Sequence, residues 1–165
     1  ASRFDEAVAV LARFEASEIF PRGMGGDWAH YDVTRDAVAL EQIANGWPKR
    51  VDWVPVEVRP ELRALAADQY IWGRSRPFAQ PPELEGPLPA DVVVNMLVAC
   101  GTITGQVDRY GRMGASGIRL VCSEDSCPAC KKAARVYRLS HVPEIPVWGC
   151  TGEKGCHCAI RPTFS

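Results

Sequence analysis

The stretch of sequence that decides the fold is residues 122–158, which read CSEDSCPACKKAARVYRLSHVPEIPVWGCTGEKGCHC. Five of the seven cysteines of this 165-residue chain lie between positions 127 and 158, whereas residues 1–99 contain none. A framework of disulfides would leave at least one thiol unpaired and would not explain the clustering. Cysteines gathered at metal-ligand spacing account for both observations.

The cysteines form two half-sites of the kind that hold a tetrahedral metal ion. In Cys127-Pro-Ala-Cys130, a CxxC turn directs two thiolates to one ion while backbone N–H groups face the sulfurs. Cys150 and the Cys-His-Cys segment 156–158 follow about 20 residues later, a spacing typical of zinc sites. Thiolates are soft ligands that suit zinc. The sequence therefore predicts one structural Zn²⁺ ion, which stabilises a segment poor in large apolar residues.

The candidate ligands outnumber the four positions of a tetrahedral ion. They are Cys127, Cys130, Cys150, Cys156 and Cys158. The favoured set is the first three together with one of the last two, and the remaining thiol then lies beside the ion. Further candidates on other local elements are Cys122 and His141, and His157 lies between two of the cysteines.

Two other interpretations of the cysteines remain open from the sequence. An iron–sulfur cluster has the right number of cysteine ligands, although the spacings differ from those of ferredoxins. In the second interpretation, Cys127 and Cys130 form a redox-active dithiol, as in thioredoxin-like proteins, where a CxxC follows a strand at the start of a helix. The chain would then be a thiol oxidoreductase, and the three downstream cysteines would have no role.

The residues around the cysteines follow a definite order, which runs Arg119-Leu-Val, the CxxC, Val136-Tyr137, Cys150 and Gly-Cys-His-Cys over residues 155–158. This order resembles the cysteine-rich C-terminal motif of Mu-type phage head morphogenesis proteins and related bacterial proteins. In that motif a CxxC precedes a Gly-Lys-Val-Tyr-like strand, and a His-Pro-x-Cys-Arg-Cys-like segment closes the site. The resemblance implies a metal-binding module and a structural or assembly role.

The chain departs from that family pattern at three places. Residues 131–135 lack the usual glycine, Cys150 stands where a histidine is common, and His157 replaces the arginine. Residues 1–115 resemble no family that we recognise.

Apolar periodicity predicts a helical N-terminal part. The predicted helices cover residues 2–20, 35–44 and 60–72, the last two stopping at Asn45-Gly46 and at Gly73. Residues 51–58, which contain four valines, favour an extended segment, with Pro55 at an edge position. The five prolines of residues 74–90 predict a linker or an extended arm.

The C-terminal part is predicted to begin with a buried helix. Residues 91–110 are apolar on nearly every side, which suits a helix better than a strand, with Gly101 and Gly105 permitting close approach. Short strands are predicted over residues 118–122 and 136–139, and the tail from Pro143 is predicted to be mostly loop. The predicted fold is α+β. Its regions are the helical residues 1–73, the proline-rich residues 74–90, and residues 91–165 with the zinc-stapled β module.

Three other groups of residues carry side chains that could form a site. The segment His30-Tyr31-Asp32 has acid and base groups but no nucleophile beside it, so it is better interpreted as surface. Four tryptophans are better interpreted as core anchors than as a stacking surface: Trp28, Trp47, Trp53 and Trp72. Basic residues that flank the CxxC offer a contact with phosphates: Lys131, Lys132, Arg135 and Arg138.

Charge and composition limit the functions that the chain can have. The net charge is −1, but residues 1–100 carry 10 basic and 15 acidic residues, and residues 101–165 carry 9 and 5. No run approaches the roughly 18 apolar residues of a membrane span, so a cytoplasmic protein without membrane insertion is expected. The leading hypothesis is a non-catalytic structural or interaction protein with protein partners, for example a subunit of a larger assembly. The alternatives are a zinc-dependent nucleic-acid-binding protein and the thiol oxidoreductase.

Overall fold

The structure is a computed structural model that describes residues 33–72, 81–152, 155–156 and 158–164. In chain order its elements are α1 (Val33–Asn45), α2 (Arg59–Trp72), α3 (Ala90–Arg112), β1 (Gly117–Val121), α4 (Pro128–Ala133), β2 (Val136–Arg138) and β3 (Ala159–Thr163). The predicted α+β class with a helical N-terminal part is confirmed. The helix predicted over residues 2–20 and the segment His30-Tyr31-Asp32 lie outside the described residues.

Helices α1, α2 and the first half of α3 pack around one apolar cluster, which we name the helical core. Helix α3 is apolar on most sides because both other helices contact it. At Gly101 a side chain would meet Ile43 Cγ1 at 2.6 Å and the Ala39 carbonyl oxygen at 2.8 Å. The glycine therefore allows the backbones of α1 and α3 to approach closely, as the sequence predicted.

The extended segment predicted over residues 51–58 is wrong. The chain instead forms two 3-10 turns, Lys49–Val51 and Val56–Val58, each preceded by a proline. Val51 and Val54, two of the valines that suggested a strand, are three positions apart and are buried in the helical core. Local i to i+3 hydrogen bonds, such as Val54 N–H to the Val51 carbonyl at 3.1 Å, satisfy the backbone instead.

The described part of the proline-rich segment, residues 81–89, contains neither helix nor strand. Leu84 and Leu88 nevertheless pack against the helical core. At Gly86 a Cβ atom would overlap the Trp53 ring, so the backbone lies directly on the indole. This segment therefore covers one side of the helical core.

The prediction that the tryptophans anchor a core is confirmed for two of them. Trp47 and Trp53 are partly buried and pack against the helical core. Trp28 lies outside the described residues, as does the side chain of Trp72.

Strands β1, β2 and β3 form an antiparallel sheet in the order β2-β1-β3. Alternation turns Ile118 and Leu120 of β1 and Ile160 of β3 toward a second apolar cluster. The two strands predicted around the CxxC are confirmed. The tail was predicted to be mostly loop, and this is wrong for Ala159–Thr163, because pairing with β1 orders those residues.

The second cluster contains the cysteines and the inner face of the sheet, and we name the region from β1 to β3 the cysteine module. Ile103 in the second half of α3 belongs to this cluster, whereas Met96 and Leu97 belong to the helical core. By length and composition α3 could cross a membrane, but the same is true of a core helix, and α3 is largely buried between the two clusters. The predicted boundaries at residues 73, 74, 90 and 91 stay predictions.

Candidate metal centre

Four separate stretches of backbone bring the cysteines to one place. Cys122 follows the last residue of β1, and Cys158 precedes the first residue of β3. Cys127 is the N-cap residue of α4, and Pro128 occupies the first position of that helix, where its fixed φ angle is favourable. Cys130 is buried in the first turn of α4. Cys150 follows Gly149, whose φ of +78° is the left-handed conformation expected of a tight turn.

The sulfur atoms of the predicted ligands lie close together. The Cys150 sulfur lies 3.9 Å from that of Cys127 and 3.7 Å from that of Cys130. The Cys130 sulfur lies 3.9 Å from that of Cys156. Two sets of three sulfurs, each with all members within 4.8 Å, share Cys130; they are Cys127, Cys130 and Cys150, and Cys130, Cys156 and Cys158. The five predicted cysteines therefore converge, and their sulfurs can hold a metal ion.

Of the additional candidates, the structure describes Cys122 and His141, and the first lies beside the cluster. The Cys122 sulfur lies 3.5 Å from the Cys158 sulfur, so Cys122 extends the cluster. His141 is exposed, and its Nδ1 contacts the Ser140 hydroxyl at 2.8 Å. His157 lies outside the described residues. Cys100 is buried in α3 and contacts Gln42 at 3.5 Å, in agreement with its interpretation as a small core residue.

The spacing of the sulfurs fits a tetrahedral ion. Zinc holds thiolate sulfurs at about 2.3 Å, which places two sulfurs on one tetrahedral ion about 3.8 Å apart. Three separations match this value, those of Cys127 from Cys150, of Cys150 from Cys130 and of Cys130 from Cys156, at 3.7 to 3.9 Å. The donor set consists of soft sulfur atoms in a largely buried setting, which suits Zn²⁺ and other thiophilic cations.

The ionisation of the thiols also favours a cation. Burial acts to raise the pKa of Cys127, but backbone N–H groups of Cys130 and Thr151 donate to its sulfur, and with the neighbouring thiols they lower the pKa to about 6. Burial raises the pKa of Cys130, and the hydrogen bond with Cys156 followed by burial raises the pKa of Cys150. The lowered pKa favours the thiolate of Cys127, whereas the raised pKa values favour the protonated thiols of Cys130 and Cys150. A divalent cation would remove this restriction by neutralising the gathered charge.

The helical core holds the cysteine module through a few direct contacts. Arg50 Nε donates a hydrogen bond of 2.6 Å to the carbonyl oxygen of Cys150. The backbone N–H of Lys49 donates to a Glu144 carboxylate oxygen at 3.2 Å. Gly155, with φ of +96°, lies so close to α3 that a Cβ atom would meet Asn95 Cβ at 3.3 Å. The loops that carry the sulfurs are thus positioned by the helices as well as by the sheet.

Trp148 is a candidate functional residue that the sequence interpretation missed. Its side chain is 78% exposed, two positions before Cys150. It lines a groove of about 510 Å³ where the helical core meets the cysteine module, and Trp53, Lys49 and Arg50 also line that groove. The sequence Pro-Val-Trp-Gly gave one indication that Trp148 is exposed. A tryptophan in a turn next to a metal ligand has few apolar neighbours to cover it.

The outer face of the sheet is basic. Alternation along the strands places Arg119, Arg138 and Arg161 on the face opposite the apolar cluster, and all three are exposed. Arg119 and Arg161 are direct cross-strand neighbours. Like charges at such a position repel one another. The other basic candidates, Lys131 and Lys132 on α4 and Arg135, are also exposed.

No protein-family model matches this chain, and no curated protein or solved structure is significantly similar to it. The resemblance of the cysteine motif to that of phage head morphogenesis proteins stays a prediction.

Proposed function

We propose that this protein is a non-catalytic structural or interaction protein of the cytoplasm whose cysteine module is folded around a structural zinc ion. The observation that carries the proposal is the series of sulfur contacts, at 3.7 to 3.9 Å, that joins Cys127 to Cys150, Cys150 to Cys130 and Cys130 to Cys156. Four thiolates would fill the coordination sphere of zinc, so no position would be left for an activated water. The metal would contribute folding free energy rather than catalysis.

The sulfur contacts favour a simple zinc site over the other metal and redox alternatives. An iron–sulfur cluster inserts its own iron and sulfide atoms between the cysteines, and that arrangement needs a wider spacing. A dithiol redox centre requires Cys127 and Cys130 to pair with each other, yet both sulfurs also contact the sulfur of Cys150. The reducing cytoplasm would keep all of these thiols available to the metal.

The proposed interaction role is supported by the apolar surface beside the metal site. Trp148 is 78% exposed, and the groove that it lines contains a second tryptophan and two basic side chains. Exposed tryptophans and arginines often supply most of the binding energy of a protein interface. A partner subunit of a phage-like or bacterial assembly would cover Trp148.

Metal analysis combined with substitution tests the zinc proposal. Protein purified without chelators should contain zinc, and Cys127→Ser and Cys130→Ser should lower both the zinc content and the protection of β1 amides in hydrogen exchange. Cys100→Ser is the matched control, because Cys100 lies outside the sulfur cluster. A metal-free native protein with a protected cysteine module would contradict the proposal.

The interaction role has a separate test. Tagged wild-type chain and the Trp148→Ala variant would be recovered from the cell that encodes them, and their bound proteins identified by quantitative mass spectrometry. A specific partner should be retained by the wild type and lost by the variant, with an unchanged zinc content. Equal recovery of every protein by both chains would argue against Trp148 as an anchor.

Nucleic-acid binding is the second candidate, and the three outward arginines of the sheet favour it. Phosphate contacts by basic residues make binding fall steeply with salt, with a slope of about 0.7 per contact on single strands. Fluorescence anisotropy with a labelled oligonucleotide would measure this slope for the wild type and for Arg119→Gln with Arg161→Gln. Absence of binding at low salt would eliminate this function.

A further inference from the structure

The sulfur cluster is larger than one tetrahedral ion requires. Contacts of 3.5 to 3.9 Å join Cys127 to Cys150, Cys150 to Cys130, Cys130 to Cys156, and Cys158 to Cys122. The pair Cys158 and Cys122 is connected to the other four cysteines, because Cys130, Cys156 and Cys158 lie within 4.8 Å of one another. Six sulfurs therefore form one continuous group, whereas a single zinc ion binds four.

The position of Cys122 follows from the register of the sheet. In the β1–β3 ladder Val121 faces Ala159, so the next residues along the two strands, Cys122 and Cys158, come opposite each other. Their sulfurs lie 3.5 Å apart, and the Cys122 sulfur also lies 3.2 Å from the carbonyl oxygen of Cys130. The end of the sheet thus presents a pair of thiols beside Cys130.

The two sets of three sulfurs that share Cys130 outline two ion positions. One position lies among Cys127, Cys130 and Cys150, and the other among Cys130, Cys156 and Cys158. The Cys156 sulfur contacts that of Cys130, the residue that both sets share, so it borders the first position as well as the second. Each position then has four sulfurs if Cys130 and Cys156 serve both ions and Cys122 completes the second.

We propose that the cysteine module holds two Zn²⁺ ions in one six-thiolate cluster, an inference that rests on the proposed zinc-dependent folding. Cys127 and Cys150 are the terminal ligands of the first ion, and Cys122 and Cys158 are those of the second. Cys130 and Cys156 bridge the two ions. Clusters of two zinc ions and six cysteines are an established type of protein module.

Charge balance is compatible with the second ion. One Zn²⁺ ion with four thiolates carries a net charge of −2, and two Zn²⁺ ions with six thiolates carry the same net charge. The second ion therefore adds no net charge to a buried region, because two further thiols ionise when it binds and their two negative charges balance its charge of +2. On binding, each zinc displaces the protons of its thiols into solvent.

Zinc stoichiometry of the full chain tests the inference. Protein purified under reducing conditions would be loaded with zinc, freed of unbound metal and analysed by native mass spectrometry. The wild type and the Cys100→Ser control should each carry about two ions, and Cys122→Ser should carry about one. One ion in the wild type, unchanged by Cys122→Ser, would overturn the two-ion cluster while leaving the proposed structural zinc intact. A metal-free wild type would contradict both proposals.

A spectroscopic measurement on the wild type tests the same inference without relying on a variant that could fail to fold. Cobalt titrated into the metal-free wild type should give a paramagnetic signal that rises with the first ion and falls with the second, because bridging thiolates couple the two cobalt spins. A signal that keeps rising in proportion to bound cobalt would overturn the bridging arrangement. A single bound ion together with an intact mass lower by two hydrogens would also overturn it, since Cys122 and Cys158 would then be joined as a disulfide.

Discussion

The helical core and the cysteine module are stabilised by different means, although α3 runs through both. The largest fully buried side chains of the helical core include Leu40, Ile43, Leu62, Met96 and Leu97. The buried cluster of the module has a few aliphatic residues and three cysteines, and three more cysteines pack against it. Burial of apolar surface suffices for the first region, whereas the second depends on its proposed metal.

Metal removal is expected to produce the largest effect, and to produce it in one region only. A chelator should abolish amide protection in β1 and β3 and leave α1 and α2 protected, because only the module uses sulfur ligands. Zinc binding in small modules contributes on the order of 10 kcal/mol of folding free energy. Hydrogen exchange with mass spectrometry measures both regions in one sample, and simultaneous loss of protection in the helices would show that the regions are not separable.

Leu40→Ala should destabilise the helical core and leave the metal site unchanged, the opposite of metal removal. Leu40 is fully buried in the helical core, so truncation should lower the free energy of unfolding by about 2–5 kcal/mol through lost burial and a cavity. The zinc content should not change. Denaturant unfolding and metal analysis would be run together, with Glu41→Ala as the exposed neighbour for control. Zinc loss in Leu40→Ala would mean that the helical core controls the metal site.

Gly101→Ala tests the contact of α1 with α3. The added methyl would meet Ile43 and the Ala39 carbonyl at less than 3 Å, so the free energy of unfolding should fall by about 1–3 kcal/mol. Gly111→Ala is the matched control in the same helix, because the nearest atom to the methyl added there is Leu139 Cδ1 at 3.6 Å. Alanine at that position should be neutral or stabilising by up to about 1 kcal/mol. Equal effects of the two substitutions would contradict the close approach of α1 to α3.

Arg50→Ala would weaken the link between the two regions. Loss of the hydrogen bond to the Cys150 carbonyl should cost about 1 kcal/mol, because Arg50 is only partly buried. The exchange of zinc with a competing chelator should become faster, since the turn that holds Cys150 loses one support. Arg50→Lys keeps the charge but not the directed Nε–H group. An unchanged rate of zinc exchange in both variants would show that this hydrogen bond does not support the metal site.

The smallest effect expected is a low rate of alkylation at Cys100, with no change in stability. Burial, as the main cause, raises the pKa of Cys100 from its ordinary value of 9.0 to about 11. Alkylation requires the thiolate, so its rate at pH 8 should be about 100-fold below that of an ordinary thiol and should rise with pH until about 11. Peptide mass spectrometry after iodoacetamide would measure it. Rapid labelling of Cys100 in the native chain would show that α3 opens.

Local patterns allowed much of the fold to be predicted. The ends of α1 and α2 were predicted within a few residues, because apolar periodicity and Asn45-Gly46 are local signals. The convergence of Cys127 and Cys130 was predicted for the same reason, because two cysteines three positions apart form a local motif. The valines of residues 51–58 misled the prediction, because β-branched residues also occur in and beside 3-10 turns, where Val51 and, three positions later, Val54 are buried without a strand.

The sequence alone determined which residues are capable of binding metal and which segments are helical, because ligand chemistry and helical periodicity are properties of short stretches. The tertiary structure alone decided that β3 pairs with β1, that Cys122 comes opposite Cys158, and that Trp148 stands exposed beside the sulfurs. Strand register and sulfur contacts join residues about 20 or more positions apart. Such contacts depend on how the whole chain packs, and no local pattern specifies them.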